Sequence, residues 1–243
     1  RKFSSTSEAD NKVGGRRSPR EPKLSTSKGL NRFVWDMRYP SIPTIPGVFI
    51  ESSFRGHKAI PGNYTITLKA GPQTNSTTAS ILANPLYQVG ENDYKEFDAL
   101  MKQMEGEVIT MHTMILDLYE SKNQLEAVLK NLSLDSKYSA VKAAGEGLVK
   151  QLKAWDEDMI QRKSTAYDDV ENFPNKFTAE YMFMVNQNES DIPRVNQPVL
   201  DLLKEYTPIW EALKARGLDL KNNILPALNK QLWEAGVGAV WIK

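Results

Sequence analysis

Two periods divide the chain. Between residues 30 and 85 the spacing is two: Phe33 and Trp35 alternate with Arg32, Val34 and Asp36, and Tyr64, Ile66 and Leu68 alternate with Asn63, Thr65 and Thr67. That period sends successive side chains to opposite faces and predicts half-buried strands. Pro61-Gly62 places a turn before the second run, and Gly71-Pro72 places another before a Thr/Ser-rich strand at about 76 to 83. Short strands at close spacing with Pro/Gly turns predict a small antiparallel β-sandwich over residues 1–86. Within it, residues 4–28 are Ser, Pro, Gly and charge and read as a long polar loop. The stretch SIPTIPGVFIESSFRGHKA reads as an irregular insertion with one edge strand at Val48 to Glu51.

After Asn84-Pro85 the period lengthens. Phe97, Met101, Met104, Val108, Met111, Ile115, Leu118, Leu125 and Leu129 follow a 4-3-4-3 spacing broken only by Lys122, which is the apolar seam of a long helix. Tyr138, Val141, Leu148, Leu152, Trp155 and Met159 form a second stripe, in which Gly145 and Gly147 let a neighbour approach. Val199, Leu203, Tyr206, Trp210, Leu213, Leu220, Ile224, Leu228 and Leu232 form a third, with Pro198 suited to its first turn and Pro208 and Pro226 expected to bend or interrupt it. The prediction for 90–243 is an antiparallel bundle of three long helices, at about 91–130, 136–162 and 197–235, with an irregular crossover at 163–195. The expected class is thus α+β and multidomain, sandwich first and bundle second.

Charge adds little direction. Lys and Arg number 31 against 30 Asp and Glu, so no global field favours nucleic acid or an anionic membrane. No run approaches the roughly 18 apolar residues of a membrane span, and no apolar signal segment opens the chain. Cysteine is absent, which removes disulfides, thiolate nucleophiles and zinc–thiolate sites together.

Chemistry is equally sparse. There are two histidines: His57 in the irregular insertion, read as a surface residue without a partner, and His112, read as a flank position of the first long helix. Asp156, Glu157, Asp158, Asp168, Asp169 and Glu171 cluster along the sequence, but no calcium loop D-x-D-x-D-G accompanies them. No G-x-S-x-G, phosphate loop or G-x-G-x-x-G occurs. No catalytic, cofactor-binding or metal-ligating residue is therefore assigned. The Met-rich seam of Met101, Met104, Met111 and Met114 reads as core packing. The residues expected to meet a partner are Trp233, Trp241 and Ile242, because the tail Ala-Gly-Val-Gly-Ala-Val-Trp-Ile is apolar and needs burial, against a partner or its own bundle.

The run Lys28-Gly-Leu-Asn-Arg-Phe-Val-Trp-Asp-Met-Arg-Tyr-Pro40 and the run Gly56-His-Lys-Ala-Ile-Pro-Gly-Asn-Tyr-Thr-Ile-Thr-Leu68 resemble the region that follows the β-propeller in secreted bacterial sortilin-like (VPS10/BNR-repeat) proteins, often labelled glycosyl hydrolases. The Trp35-Asp36 strand and the Pro61-Gly-Asn-Tyr strand also resemble the immunoglobulin-like module of flagellar hook-capping proteins, which implies an immunoglobulin-like form for the sandwich, and the helices up to Leu225-Pro-Ala-Leu-Asn229 are similar to the tail of the sortilin-like proteins. The resemblance implies a C-terminal accessory piece of a secreted or cell-envelope protein, with a β-propeller of the same or a co-assembled protein, or another envelope protein, as partner. It implies no catalytic residue here, because a hydrolase activity would rest on the propeller. Two other readings stay open: one wall of a glycosidase or peptidase site completed by the propeller and supported by an acidic cleft at Asp156 to Glu171, or a carbohydrate-binding sandwich with Trp35 or Tyr39 as an exposed stacking platform.

Overall fold

The structure, a computed structural model, describes residues 1–6, 22–132, 136–189 and 192–240. Its order is a two-stranded antiparallel hairpin, β1 (Gly62–Ala70) and β2 (Gln73–Ile81), followed by helices α1 (Glu91–Asn131), α2 (Ser139–Met159), α3 (Phe177–Glu189), α4 (Gln197–Asp219) and α5 (Leu225–Glu234). Among the described residues there is no immunoglobulin-like sandwich; the chain is mostly helical. The centre of the polar stretch, with Arg16, Arg17 and Arg20, lies outside the described residues.

The sandwich fails for a physical reason. Pro40, Pro43 and Pro46 each remove a backbone donor from the insertion, so it cannot continue a ladder. Neither the Phe33 and Trp35 run nor Val48 to Glu51 forms a strand. Residues 36 to 60 instead make a strap, closed on itself by the Arg38–Lys58 bridge and by the Ile42 N–H donating to the Phe54 carbonyl at 2.7 Å. Ile42, Ile45, Ile50 and Phe54 of the strap are buried in the same core as the helices. The alternating segment therefore covers a helix, where a sandwich would have had it cover a second sheet.

α1 is 41 residues long, about 60 Å, and buries the whole predicted seam from Phe97 to Leu129. The Asp93 carboxylate accepts the Gly90 N–H at 2.8 Å and satisfies a donor at its start. Lys122, the break in the seam, is buried along its stem and places its Nζ 3.3 Å from Glu126 and over the Tyr119 ring.

A fourth helix lies where an irregular crossover was expected. In α3, Tyr181, Met182, Met184 and Val185 are buried, and Phe177 stacks on Trp210 of α4 at 6.3 Å between ring centroids. α4 starts at Asn196, whose side chain accepts the Val199 N–H, and it passes Pro208 without a break. Before Pro226 the helix widens into a π turn, Leu220–Ile224, which joins α4 to α5. Pro226 cannot donate to the Asn222 carbonyl, and the Leu225 N–H reaches back to Leu220, so the wider turn falls where the proline removes a helical bond.

Close helix contacts rest on missing side chains. A Cβ on Gly217 would lie 2.5 Å from Met114 Cε and 3.0 Å from the Trp155 ring, and one on Gly145 would lie 2.6 Å from Leu129. Gly147 faces open space and permits no such approach. Gly217→Val is therefore expected to cost about 1–3 kcal/mol through overpacking, whereas Gly147→Ala should stabilise by up to about 1 kcal/mol through helix propensity. Urea denaturation of both variants checks the pair, and equal effects would contradict the packing assigned to Gly217.

Candidate functional site

The densest polar arrangement lies where the strap crosses α1, and it is built around His57. Sequence reading placed this histidine on the surface without a partner; it is fully buried, with 0 % of its surface exposed. About two turns of α1 present Asp98, Lys102 and Glu105 towards the strap, a spacing that keeps all three on one helix face. Glu105 receives the His57 backbone N–H at 2.8 Å through one oxygen and Nδ1 at 3.0 Å through the other. Nε2 points to Asp98 at 3.1 Å.

An ionised carboxylate only accepts, so an acidic partner on each ring nitrogen favours the doubly protonated ring, in which both nitrogens donate. Burial alone disfavours that charge, but the hydrogen bond and charge of Glu105, then those of Asp98, outweigh it and raise the His57 pKa above its usual value. Burial likewise works against the Asp98 carboxylate, yet hydrogen bonds from Lys102, His57 and Tyr39 hold its pKa below the ordinary range. Tyr39 stacks on the imidazole at 4.4 Å, with the Lys102 ammonium 4.7 Å from the tyrosine ring centre. Beside this cluster, Arg38 bridges the Gly56 carbonyl and Glu189 of α3, linking strap to bundle.

With both ring nitrogens hydrogen-bonded to α1 and its own backbone N–H on Glu105, buried His57 clamps the strap to the helix. His112 forms the next contact along α1. Its Nδ1 donates to the Pro43 carbonyl at 2.6 Å, Nε2 is buried without a partner, and burial pushes its pKa down to about 4.

The acidic residues near the end of α2 do not converge on a cleft. Asp156 is gripped through both oxygens by Arg162, which lies over the Tyr119 ring, and Asp158 pairs with Arg216. Asp169 accepts the backbone N–H groups of Thr165 and Ala166 and the Thr165 hydroxyl, while Glu157, Asp168 and Glu171 are exposed. Among the described residues no group of three His, Asp or Glu side chains is placed to hold a metal ion, and no helix is long and apolar enough to cross a membrane. Nor do the two candidate sugar platforms stand free: Trp35 is half-buried against Tyr64 with its N–H on the Arg38 carbonyl, and Tyr39 is half-buried, stacked on His57 and in contact with Lys102.

Of the residues expected to meet a partner, Trp233 is described and is 76 % exposed on α5; Trp241 and Ile242 lie outside the described residues. The tail before them folds back on the bundle. Asn229 clips the Val240 backbone from both sides, accepting its N–H at 2.8 Å and donating to its carbonyl at 2.9 Å, and Val240 is buried. Within the tail Val240 is buried on the bundle and Ala235 and Val237 are half-buried, while Gly236, Gly238 and Ala239 are exposed. Comparison with protein-family models, with curated proteins and with solved structures gave no match in any of the three.

The histidines set opposite pH limits. His57 has a raised folded pKa, so its contribution is complete below the unfolded value of about 6.5 and is lost as pH rises through the folded value. His112 has a depressed one, so stability should climb from about pH 4 and level off near 6.5. Each limb is limited to about 1.4 kcal/mol per pH unit. Thermal melting between pH 4 and 9 should give a maximum near neutrality, and His57→Gln should flatten its alkaline side. A wild-type profile already flat above pH 6.5 would contradict the clamp.

Proposed function

We propose that this chain is a non-catalytic structural and protein-interaction module, the C-terminal accessory part of a secreted or cell-envelope sortilin-like β-propeller protein. In this reading the propeller, of the same or a co-assembled chain, is the partner. The resemblance of the Lys28–Pro40 and Gly56–Leu68 runs supports the setting. The observation that carries the interaction is Trp233, a large indole left three-quarters exposed on a helix whose opposite side, Leu225, Leu228 and Leu232, is fixed in the core. A rigidly mounted exposed indole is the type of side chain that anchors protein interfaces. The titratable groups support a mount more than a reaction centre, since His57, Asp98, Glu105 and Asp156 are all engaged in holding elements together.

Trp233→Ala tests this directly, with the propeller-bearing chain identified by mass spectrometry of native material. The variant should fold with unchanged stability, because little of the indole is buried, and should weaken association with that chain by about 2 kcal/mol, roughly thirtyfold. Undiminished co-elution of the variant would remove Trp233 as the anchor.

A further inference from the structure

The hairpin stands apart from the bundle, and its two faces differ. β1 and β2 are each nine residues long and pair from Gly62–Ile81 to Ala70–Gln73. Directly opposed residues share a face. One face carries Tyr64, Ile66, Leu68 and Ala70 of β1 with Gln73, Asn75, Thr77, Ala79 and Ile81 of β2, so its apolar part lies mainly on β1; the other carries Asn63, Thr65, Thr67, Lys69, Thr74, Ser76, Thr78 and Ser80. Only the Tyr64 end of the apolar face is covered, by Trp35, and Ile66 and Leu68 remain 51 % and 59 % exposed. A two-stranded hairpin so placed is marginal in water, and stability comes with further strands or a covering helix.

The edge of β2 indicates what adds those strands. Gly71, with φ +57°, and Pro72 form a two-residue turn, which makes Ala70 and Gln73 the first hydrogen-bonded pair. Thr74, Ser76, Thr78 and Ser80 then turn their backbone N–H and C=O groups outward. Among the described residues no third strand pairs with them. Exposed edges are ordinarily protected by charge, proline or a bulge. β2, of sequence QTNSTTASI, contains no charged residue and no proline, and its register with β1 is unbroken.

This edge is complementary to itself. In an antiparallel pairing of two β2 strands about a two-fold axis at Thr77, Thr74 faces Ser80 of the partner subunit and Ser76 faces Thr78 of the partner subunit. All four outward-facing positions are used, no like charges meet, and hydroxyl side chains oppose hydroxyl side chains. The resulting four-stranded sheet gathers Ile66 and Leu68 of both copies on one face.

We propose that β2 is a homodimerisation edge, occupied by β2 of a second copy of this chain. Sedimentation equilibrium of the 243-residue chain should show a monomer–dimer equilibrium. The double variant Ser76→Lys with Thr78→Lys sets lysine against lysine across the axis and should weaken the dimer about tenfold or more. Ser76→Lys with Thr78→Glu perturbs the same two positions but sets lysine against glutamate and should restore it. Because the native chain has no cysteine, Thr77→Cys at the axis should oxidise to a covalent dimer, and Thr67→Cys on β1 should not. Circular dichroism establishes that each variant retains the helical bundle. A chain monomeric at every concentration, equal dimerisation of the two charge variants, or crosslinking only through position 67 would each overturn the proposal.

Discussion

An amphipathic helix about 60 Å long is stable only if its apolar seam is covered from end to end, and nearly every other feature of this molecule can be understood as a way of covering α1. Its N-terminal half is covered by the strap, with Ile42, Ile45, Ile50 and Phe54 in the common core, and by α3. Its C-terminal half lies against α2 and α4, at distances set by the absent side chains of Gly145 and Gly217. Ion pairs such as Lys221 with Asp117 fasten the later helices at its margin.

Burial of the strap required a solution to its polar groups. A segment with prolines at 40, 43 and 46 leaves carbonyls without ladder partners, and some are met by side chains: Pro43 by His112, Gly56 by Arg38. The His57 clamp meets the same need with charge. Two carboxylates, Asp98 and Glu105, are close enough to repel each other, and a protonated imidazole between them turns that repulsion into two charge-assisted hydrogen bonds. Removing one member would leave a buried charge uncompensated, so the cluster acts as a unit.

The two surfaces left over differ in kind. Trp233 is a single aromatic side chain on a fixed helix, suited to a pocket on another protein. The hairpin offers a row of backbone donors and acceptors, suited to another strand. They involve separate elements, so the proposed association with a propeller and the proposed pairing of two copies can be measured independently.

The sequence by itself determined the helices, because a 3.6-residue period is a local property: the seam of α1 and the stripes of α2 and of the α4–α5 helix lie in the chain as written. The two strands on either side of Gly71-Pro72 were legible as well, but as members of a sandwich and not as a two-stranded hairpin. Alternation could not show what an extended segment would lie against, since the same period serves a strand in a sandwich and a strap on a helix; proline at three strap positions was the available signal for the latter. The Tyr181 to Val185 knot was legible as apolar but not as helix, being too short for its period to stand out. His57 was the least legible residue, because its partners lie 41 and 48 positions away in sequence. Only the tertiary structure brings those carboxylates to the imidazole, and their charge decides that the histidine is a buried, protonated clamp.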